Sequence, residues 1–578
     1  MFRLVRENWI ALLLAILVGI LVVFPSFYFR YFDGAYRGID LFGSGNEDFY
    51  LTQIQEIYDG HWSFGNIYLA DGKDDYYVPP PLPAMLTAFL GKSLGISARD
   101  INLLTKFLFP ALLTIIVYAL FSNLTRRKDV AILMAAFVML VQATWVLLNP
   151  AAWWPLLTKS QFLGTNLNFI SYARPINPQL SSILFFGYLL TIWKFLFEED
   201  VSKSKKIYGI VSAIILGLSF YTYFYAYSFL AAFNGVLAIW FLYSRDWDRF
   251  KKMLLVSLGA LAVGIPYFIN FFGVMRSPFY GRLSVSLGVF KTHRFIFSRV
   301  WLGVSVIFLL LYRKLDHFKV FIAAFLTAGF IVTNQQLITG KIAPMVAHYH
   351  WYYIAPMSGA ILIYLFFLYF EKAASRPIFR SAMILSLLFF LYVGILYQKE
   401  SYAASREWFV SLQRYAPTIS WLDKNIKKES TIFANIDLSN WIPGYTSHNI
   451  YLGGIIQDSL IGEDRLRHVF YTSSFLNGVS GNSAKKFFYE NKELVGAAIF
   501  EQYYREKNGC YGCFPDFILD QLISEYQDFL EKDFTEQLKK YPIDYAVWDK
   551  EKNPEWQLDR FFKDKIYESD NLLIYKIL

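Results

Sequence analysis

The chain has 578 residues, of which 55% are hydrophobic, 19% aromatic and only 17% charged. A mean hydropathy of +0.34 is typical of a polytopic membrane protein and excludes an ordinary soluble globule. The formal net charge of +9 does not indicate nucleic-acid binding, because the cations are grouped in short loops between apolar runs. That grouping is how the positive-inside rule shows itself in a sequence.

The apolar runs predict a membrane domain with its N-terminus in the cytoplasm. The first run is long enough to span, no small-residue cleavage site follows it, and Arg3 and Arg6 precede it. Pro79–Gly95 is short, which favours a re-entrant or surface helix. The eleven predicted spans are Trp9–Phe29, Ile101–Ser122, Val130–Leu148, Gln179–Leu196, Ile207–Tyr221, Tyr225–Tyr243, Leu254–Phe272, Val300–Tyr312, Val320–Ile338, Tyr352–Phe370 and Met383–Tyr397.

The composition changes after Gln398 to that of a soluble domain. Its predicted elements are helices at Ser405–Ile426 and Asp516–Lys540, and strands at Thr431–Ile436, Tyr545–Trp548, Lys565–Glu568 and Leu572–Ile577. We therefore predict a transmembrane domain over residues 1–398 and an extracytoplasmic α/β domain over residues 399–578. Cys510 and Cys513 are the only cysteines, and they indicate either a local disulfide or an idle reduced pair.

The first outer loop, residues 30–100, contains an acidic stretch from Gly38 to Pro83 with eight carboxylates and one lysine. Asn46 is a predicted helix N-cap, and the apolar residues after it recur at helical spacing. This pattern predicts an amphipathic helix on the membrane surface, with carboxylates at the lipid boundary. Glu47 and Asp48 have two interpretations there. They are catalytic, or they complement the helix macrodipole by about 0.3–1 kcal/mol each.

Cations in the later outer loops are candidate phosphate ligands. Arg174 lies in the loop 149–178, whose aromatic residues are also typical of an interfacial belt. The loop 273–299 contains Arg276 and Arg282, for which contact with anionic lipid headgroups is the alternative.

The loop 334–353 contains Lys341, His348 and His350. A His-x-His pair is a weak metal signal that needs a third ligand from elsewhere, such as the acidic loop. A divalent metal site and hydrogen bonding to substrate or structure therefore both stay open. No metal ligand set is assigned, and no cofactor is certain.

The inside N-terminus, the long acidic first outer loop and the eleven spans resemble the GT-C-type integral membrane glycosyltransferases. These include the protein O-mannosyltransferases and the lipid A aminoarabinose transferases. Such families show an Asp-Glu pair, a Tyr shortly after it, and Pro-Pro-Leu entering the next helix. Residues 46–50, Asn-Glu-Asp-Phe-Tyr, and residues 80–82, Pro-Pro-Leu, follow that order, and the resemblance covers roughly Met1–Leu396.

The match departs from the family pattern at one position. With Tyr50 as the anchor, Glu47 takes the family's Glu position and Asn46 takes that of the Asp. Asp48 would then have to substitute from two residues away.

The resemblance implies transfer of a sugar from a polyisoprenyl-phosphate-linked donor to a lipid, glycan or protein acceptor at the outer face of a cell-envelope membrane. It implies a carboxylate base, which is Asp48 or Glu47 with Asp40 in reserve. It also implies cations that stabilise the departing phosphate. The residues expected to bind phosphate or sugar are Tyr50, Arg174, Arg276, Arg282, Lys341, His348 and His350. Membrane lipids are further expected partners.

Two other classes of function stay open. A transporter or flippase of a lipid-linked or polar substrate would place ionisable residues within its spans, whereas the apolar runs here are nearly free of charge. A catalytically inactive membrane scaffold would account for Asn46 in place of the family's Asp.

Overall fold

The computed structural model describes residues 2–43, 46–141, 170–198, 203–453 and 456–577. The helices of its first part are α1 Phe2–Tyr31, α2 Glu47–Asp59, α3 Leu82–Leu94, α4 Ala98–Thr125, α5 Lys128–Leu140, α6 Gln179–Phe197, α7 Lys203–Ser219, α8 Phe224–Tyr243, α9 Trp247–Arg276, α10 Tyr280–Ser286, α11 Arg299–Leu311, α12 His317–Thr333, α13 Gln336–Thr339 and α14 Ala347–Ala373.

The second part begins with α15, a helix of 37 residues. Its helices are α15 Arg376–Leu412, α16 Ala416–Asn425, α17 Ile436–Ser439, α18 Ile442–Tyr445, α19 Glu463–Leu476, α20 Gly481–Glu490, α21 Lys492–Ile499, α22 Gln502–Asn508, α23 Asp516–Leu530 and α24 Phe534–Leu538. Its strands are β1 Thr431–Phe433, β2 Asn449–Ile450, β3 Tyr545–Asp549, β4 Asp564–Ser569 and β5 Leu572–Lys576.

The chain is a polytopic helical membrane protein, as predicted. Seven of the described helices are long and apolar enough to cross a membrane: α1, α4, α6, α8, α9, α14 and α15. The other predicted spans coincide with the shorter helices α5, α7, α11 and α12. The predicted span Val130–Leu148 is described only as far as Val141, and its remainder lies outside the described residues.

The basic loops meet at one end of the bundle. Arg127, between α4 and α5, pairs with Glu371 at the end of α14 over 2.5 Å. Arg249 in the first turn of α9 donates to the carbonyl oxygen of Leu196 near the end of α6 over 3.0 Å. These contacts join the basic loop after α4 to the end of α14, and the start of α9 to the end of α6. The charge pattern predicts that all four lie on one side.

The acidic stretch lies at the opposite end, among the other helix termini. The amide of Leu82 at the start of α3 donates to the carbonyl oxygen of Tyr221 after α7 over 3.1 Å. The amide of Tyr77 donates to Oδ1 of Asn270 in the last turns of α9, also over 3.1 Å. The helix α3 has 13 residues, too few to span, and leaves Phe89 67% exposed.

The C-terminal region contains a five-stranded sheet of order β2-β1-β3-β5-β4. β1 is parallel to β2 and β3, whereas β3, β5 and β4 pair antiparallel. The predicted closing hairpin is confirmed, and its turn residue Asp570 has a φ of 50°. Cys510 and Cys513 form a disulfide.

Three predicted elements are shorter than expected, and each ends at a local signal. The helix predicted at Ser405–Ile426 breaks after Leu412, and α16 restarts with Pro417 in its first turn. The helix predicted at Asp516–Lys540 ends at Leu530, and the Asp533 side chain caps α24. The strand Thr431–Ile436 stops at Phe433, because Asn435 caps α17 instead.

The C-terminal region packs directly onto the acidic stretch. The side-chain oxygen of Gln413 accepts hydrogen bonds from the amides of Arg37, Gly38 and Ile39 over 2.8, 3.2 and 3.2 Å. The amide of Ile450 in β2 donates to the carbonyl oxygen of Tyr68 over 2.9 Å. These contacts cover the acidic stretch on the side away from the bundle.

Candidate active site

Helix α2 is enclosed on both faces rather than laid on a lipid surface. Its apolar residues Leu51 and Ile54 are buried, and so are Thr52 and Gln53, which are 0% and 2% exposed. Contact with α18 of the C-terminal region covers the polar side. The prediction of a surface helix with its polar face at the lipid boundary was therefore wrong. The amphipathic pattern was read without the second partner that covers α2.

Glu47 is fully buried and tightly held. Its Oε1 lies 2.6 Å from Nζ of Lys106 in α4 and accepts from Nδ2 of Asn102 over 3.1 Å. Its Oε2 accepts from the amide of Gly43 over 2.7 Å. Burial raises the pKa of Glu47, and the attraction of Lys106 opposes that rise. Lys106 also donates to Oγ of Ser26 in α1 over 2.7 Å, so this carboxylate joins α1, α2 and α4.

Asp48, one position along α2, is half-buried. Burial raises the pKa of Asp48 to about 6, and the neighbouring charge of Glu47 adds to the rise. Hydrogen bonds from its own amide and that of Phe49 act in the other direction. A carboxyl group that changes protonation state near neutral pH is suited to take a proton in a reaction.

Asp40 lies in an ion-pair network. Its carboxylate lies 2.8 Å from Nε of Arg30 in α1 and 3.2 Å from Nε of Arg99 in α4, and it accepts from the Tyr36 hydroxyl over 3.2 Å. Its amide donates to the Tyr445 hydroxyl of α18 over 2.9 Å. Asp40 therefore fastens the C-terminal region to the ends of two membrane helices.

Arg174 stands beside α2. Its Nε donates to the carbonyl oxygen of Asn177 over 2.5 Å, and its guanidinium carbon lies 5.1 Å from the ring centroid of Tyr50. The loop that carries it contacts the acidic stretch, since a Cβ on Gly43 would lie 3.4 Å from the carbonyl oxygen of Ala173. The structure thus brings together two residues predicted to bind phosphate, Arg174 and Tyr50.

Tyr223, Tyr225 and His348 form an aromatic wall that extends the candidate site from Arg174. The Tyr223 hydroxyl interacts with Arg174 and lies 2.7 Å from Nδ1 of His348. The ring of Tyr225 meets that of His348 at 4.7 Å in a T-shaped contact. His348 is therefore linked to Arg174 through the Tyr223 hydroxyl. His350 lies two residues further along the chain, is half-buried, and begins the π-helical turn His350–Ile354.

The other predicted cations have different neighbours. Arg276 is exposed and lines a cavity of about 420 Å³ with Tyr76 and Phe272. Arg282 donates to Ser286 Oγ over 3.0 Å and to the carbonyl oxygen of Ser459. Lys341 is exposed, and its backbone forms an isolated bridge with Lys291. The structure describes none of these three in contact with Arg174.

Sequence reasoning missed three residues near the site: Lys106, Tyr223 and Asp458. Lys106 is the clearest omission, because a lone cation inside the apolar run Ile101–Ser122 predicts a buried partner. Asp458 of the C-terminal region interacts electrostatically with Tyr225, and burial raises its pKa to about 6 against the attraction of Arg282.

No group of three or more His, Cys, Asp or Glu side chains converges anywhere in the described ranges in a way that could hold a metal ion.

No family model and no curated protein matches the sequence. The chain is similar to solved structures at low identity and with TM-scores below 0.5. ArnT from Cupriavidus metallidurans in the apo state is 11% identical with a TM-score of 0.48, and the match covers 99% of this chain and 98% of that one. The oligosaccharyltransferase AglB from Archaeoglobus fulgidus, in complex with an inhibitory peptide and a dolichol-phosphate, is 13% identical with a TM-score of 0.47. That match covers 95% of this chain and 70% of the other.

Both proteins are GT-C-type membrane glycosyltransferases. ArnT was also solved bound to undecaprenyl phosphate, and that structure is 11% identical over 99% of this chain and 98% of its own, with a TM-score of 0.47.

We predict that Glu47→Gln strongly destabilises the protein. It leaves the buried ammonium of Lys106 without its counter-charge, which costs about 3–5 kcal/mol. The apparent melting temperature in detergent should fall sharply, and the double variant with Lys106→Met should recover much of the loss. Glu490→Gln is the control, since Glu490 is 63% exposed and 3.9 Å from Lys486. A melting temperature for Glu47→Gln that equals that of the control would contradict the prediction.

Proposed function

We propose that the protein transfers a sugar from a polyisoprenyl-phosphate donor to a hydroxyl-bearing acceptor at the outer face of the membrane. The observation that carries this proposal is that two groups with the required chemistry belong to, or lie against, the first turn of α2. Asp48 has a carboxyl pKa of about 6 at the start of α2, and Arg174 stands over Tyr50 two residues further along that helix. The first can accept a proton, and the second can hold a phosphate.

Asp48 is the proposed general base. Its carboxylate takes the proton of the acceptor hydroxyl while that oxygen attacks the anomeric carbon of the donor sugar. Glu47 cannot do this without breaking its ion pair with Lys106, and Asp40 is held by Arg30 and Arg99. Asp48 is therefore the first choice, with these two as positioning groups.

Arg174 is the proposed phosphate ligand. As the bond between the anomeric carbon and the phosphate oxygen breaks, the leaving phosphate keeps the electron pair and needs nearby positive charge. The Tyr223 hydroxyl and His348 are linked over 2.7 Å, and the pair has one N–H or O–H left to donate a further hydrogen bond to the phosphate. The Tyr50 ring contacts the guanidinium group of Arg174 in a cation–π interaction.

The remaining predicted ligands have supporting roles in this proposal. Arg276 lines its cavity of about 420 Å³ beside the apolar residues Ile269 and Phe272, which suits contact with the isoprenyl chain near its phosphate. Arg282, Lys341 and His350 would act on acceptor or sugar. The carrier of the proposed donor is a polyisoprenyl phosphate, the class of molecule that the ArnT and AglB structures name as bound to those proteins. The acceptor is a lipid, glycan or protein.

The proposed orientation puts the N-terminus in the cytoplasm and the domain from residue 399 outside. It rests on the basic loops that meet at one end of the bundle, which the positive-inside rule places in the cytoplasm.

We predict that Asp48→Asn abolishes transfer without loss of stability. A general base contributes about 10²–10⁴-fold. Because the folded-state pKa is raised, the protonated form favours folding, and this contribution is lost as pH rises through about 6. Removing the charge at pH 7.5 should therefore not lower the melting temperature. The rate of the unmodified protein should fall as pH drops through about 6.

Release of polyprenyl phosphate from a radiolabelled donor measures this transfer. Asp74→Asn is the matched control, because Asp74 is an exposed acid of the same loop. Near-normal turnover by Asp48→Asn would move the base elsewhere or remove catalysis from the proposal.

We predict that Arg174→Gln raises the KM for the donor and slows transfer. Loss of a charge-assisted contact costs about 1.5–3 kcal/mol, or roughly ten- to a hundredfold. Arg294→Gln is the control, since Arg294 is an exposed cation of an outer loop. If the two variants have equal kinetics at matched expression, Arg174 is only an interfacial anchor.

The orientation predicts which surfaces an impermeant thiol reagent reaches in intact cells. In a background in which Ser replaces Cys510 and Cys513, a cysteine at exposed Ser480 should be labelled and one at exposed Lys314 should not. Both should react once the membrane is permeabilised. Labelling of the Lys314 position alone would invert the topology and remove the outer active site.

A further inference from the structure

We propose that a basic pocket at the end of the bundle opposite the candidate active site binds the headgroup of an anionic phospholipid. The pocket has a volume of about 420 Å³. Its lining includes Arg127, Glu371, Arg376, Phe379, Arg380 and Met383.

The position of this pocket follows from the length of α4. Arg99, in the first turn, contacts Asp40, and Arg127 follows the last turn of this helix of 28 residues. At 1.5 Å per residue the two ends are about 40 Å apart, which is the thickness of a bilayer with its headgroups. The pocket therefore lies at headgroup depth in the leaflet opposite the active site, and it takes no part in the proposed transfer.

The pocket keeps a positive charge of its own. Arg127 engages both lining carboxylates, with its Nη2 2.7 Å from Asp129 and its Nη1 2.5 Å from Glu371. Its guanidinium also lies 5.6 Å from the ring centroid of Phe379. Arg127 offsets one of these two negative charges and Arg376 and Arg380 more than offset the other, so the lining keeps one net positive charge.

Arg376 and Arg380 are spaced for one phosphate. They stand one turn apart at the start of α15, so their guanidinium groups lie on the same helix face. Guanidinium groups bind phosphate oxygens with paired hydrogen bonds. The positive end of the macrodipole of α15 adds to the attraction.

The apolar continuation of the pocket distinguishes a lipid from a free anion. Met383 and Ile384 line it one turn below Arg380, and Ile384 is 59% exposed. A phosphate held by the arginines would have its acyl chains directed along this strip. Basic pockets between membrane helices, with an apolar strip beneath, are typical of anionic lipid sites.

The test is native mass spectrometry of the full-length protein in detergent, with phosphatidylglycerol, phosphatidylcholine or inorganic phosphate as probes. We expect phosphatidylglycerol to bind the unmodified protein, and Arg376→Gln with Arg380→Gln to weaken that binding by roughly thirtyfold. Arg376→Lys with Arg380→Lys should keep part of the affinity, because charge is retained but the planar fork is lost.

The control is Arg313→Gln with Lys314→Gln, which removes the same charge from an exposed loop that follows α11. That loop lies at the same end of the bundle, since the Tyr369 hydroxyl donates to Leu311 over 2.5 Å. Equal loss of lipid in the control would mean unspecific surface attraction and would overturn the proposal. Equal binding of phosphatidylcholine, or displacement of the lipid by millimolar inorganic phosphate, would overturn it as well.

Discussion

The buried ion pair between Glu47 and Lys106 is the contact on which the arrangement of the site depends. Lys106 lies in a membrane-spanning helix and is 2% exposed, so its charge requires a partner in the same enclosed space. Glu47 supplies that partner from the first residue of α2, and Ser26 completes the junction from α1. Three elements far apart in sequence are therefore fixed by two charges. The register of α2, and with it the direction of Asp48, follows from that junction.

The C-terminal region completes the site by covering it. The side-chain oxygen of Gln413 accepts hydrogen bonds from three backbone amides next to Asp40. The Tyr445 hydroxyl accepts one from the amide of Asp40 itself. Asp458 lies close enough to interact with Tyr225 of the aromatic wall. Burial is the largest cause of the raised pKa of Asp48. Residues of the C-terminal region and of the membrane helices thus both line the candidate site.

Much of the fold could be predicted from the sequence, because apolar length and loop charge act locally. Each predicted span overlaps a helix, and the hairpin at Asp570 was visible from its turn residues. The site was predictable only in part. Asp48, Tyr50 and Arg174 were named from charge, motif and loop position, whereas the ion pair at Lys106 depends on packing between segments that no periodicity reveals. The amphipathic pattern of α2 was misleading for the same reason, since it does not show what covers a polar face.

Asn46 stands where the families that the sequence resembles have Asp. It adopts φ 65° and ψ 18°, a left-handed conformation that Asn tolerates better than most residues other than Gly. Helix α2 starts immediately afterwards, and successive side chains then point about 100° apart. Glu47 is thereby directed to Lys106, and Asp48 is left half-buried beside it. A carboxylate at position 46 would add a third negative charge next to these two and raise the pKa of Asp48 further through like-charge repulsion. A neutral residue there keeps that pKa at about 6, so most of the Asp48 side chains remain deprotonated near neutral pH. Asn46 is therefore compatible with the proposal that Asp48 is the general base.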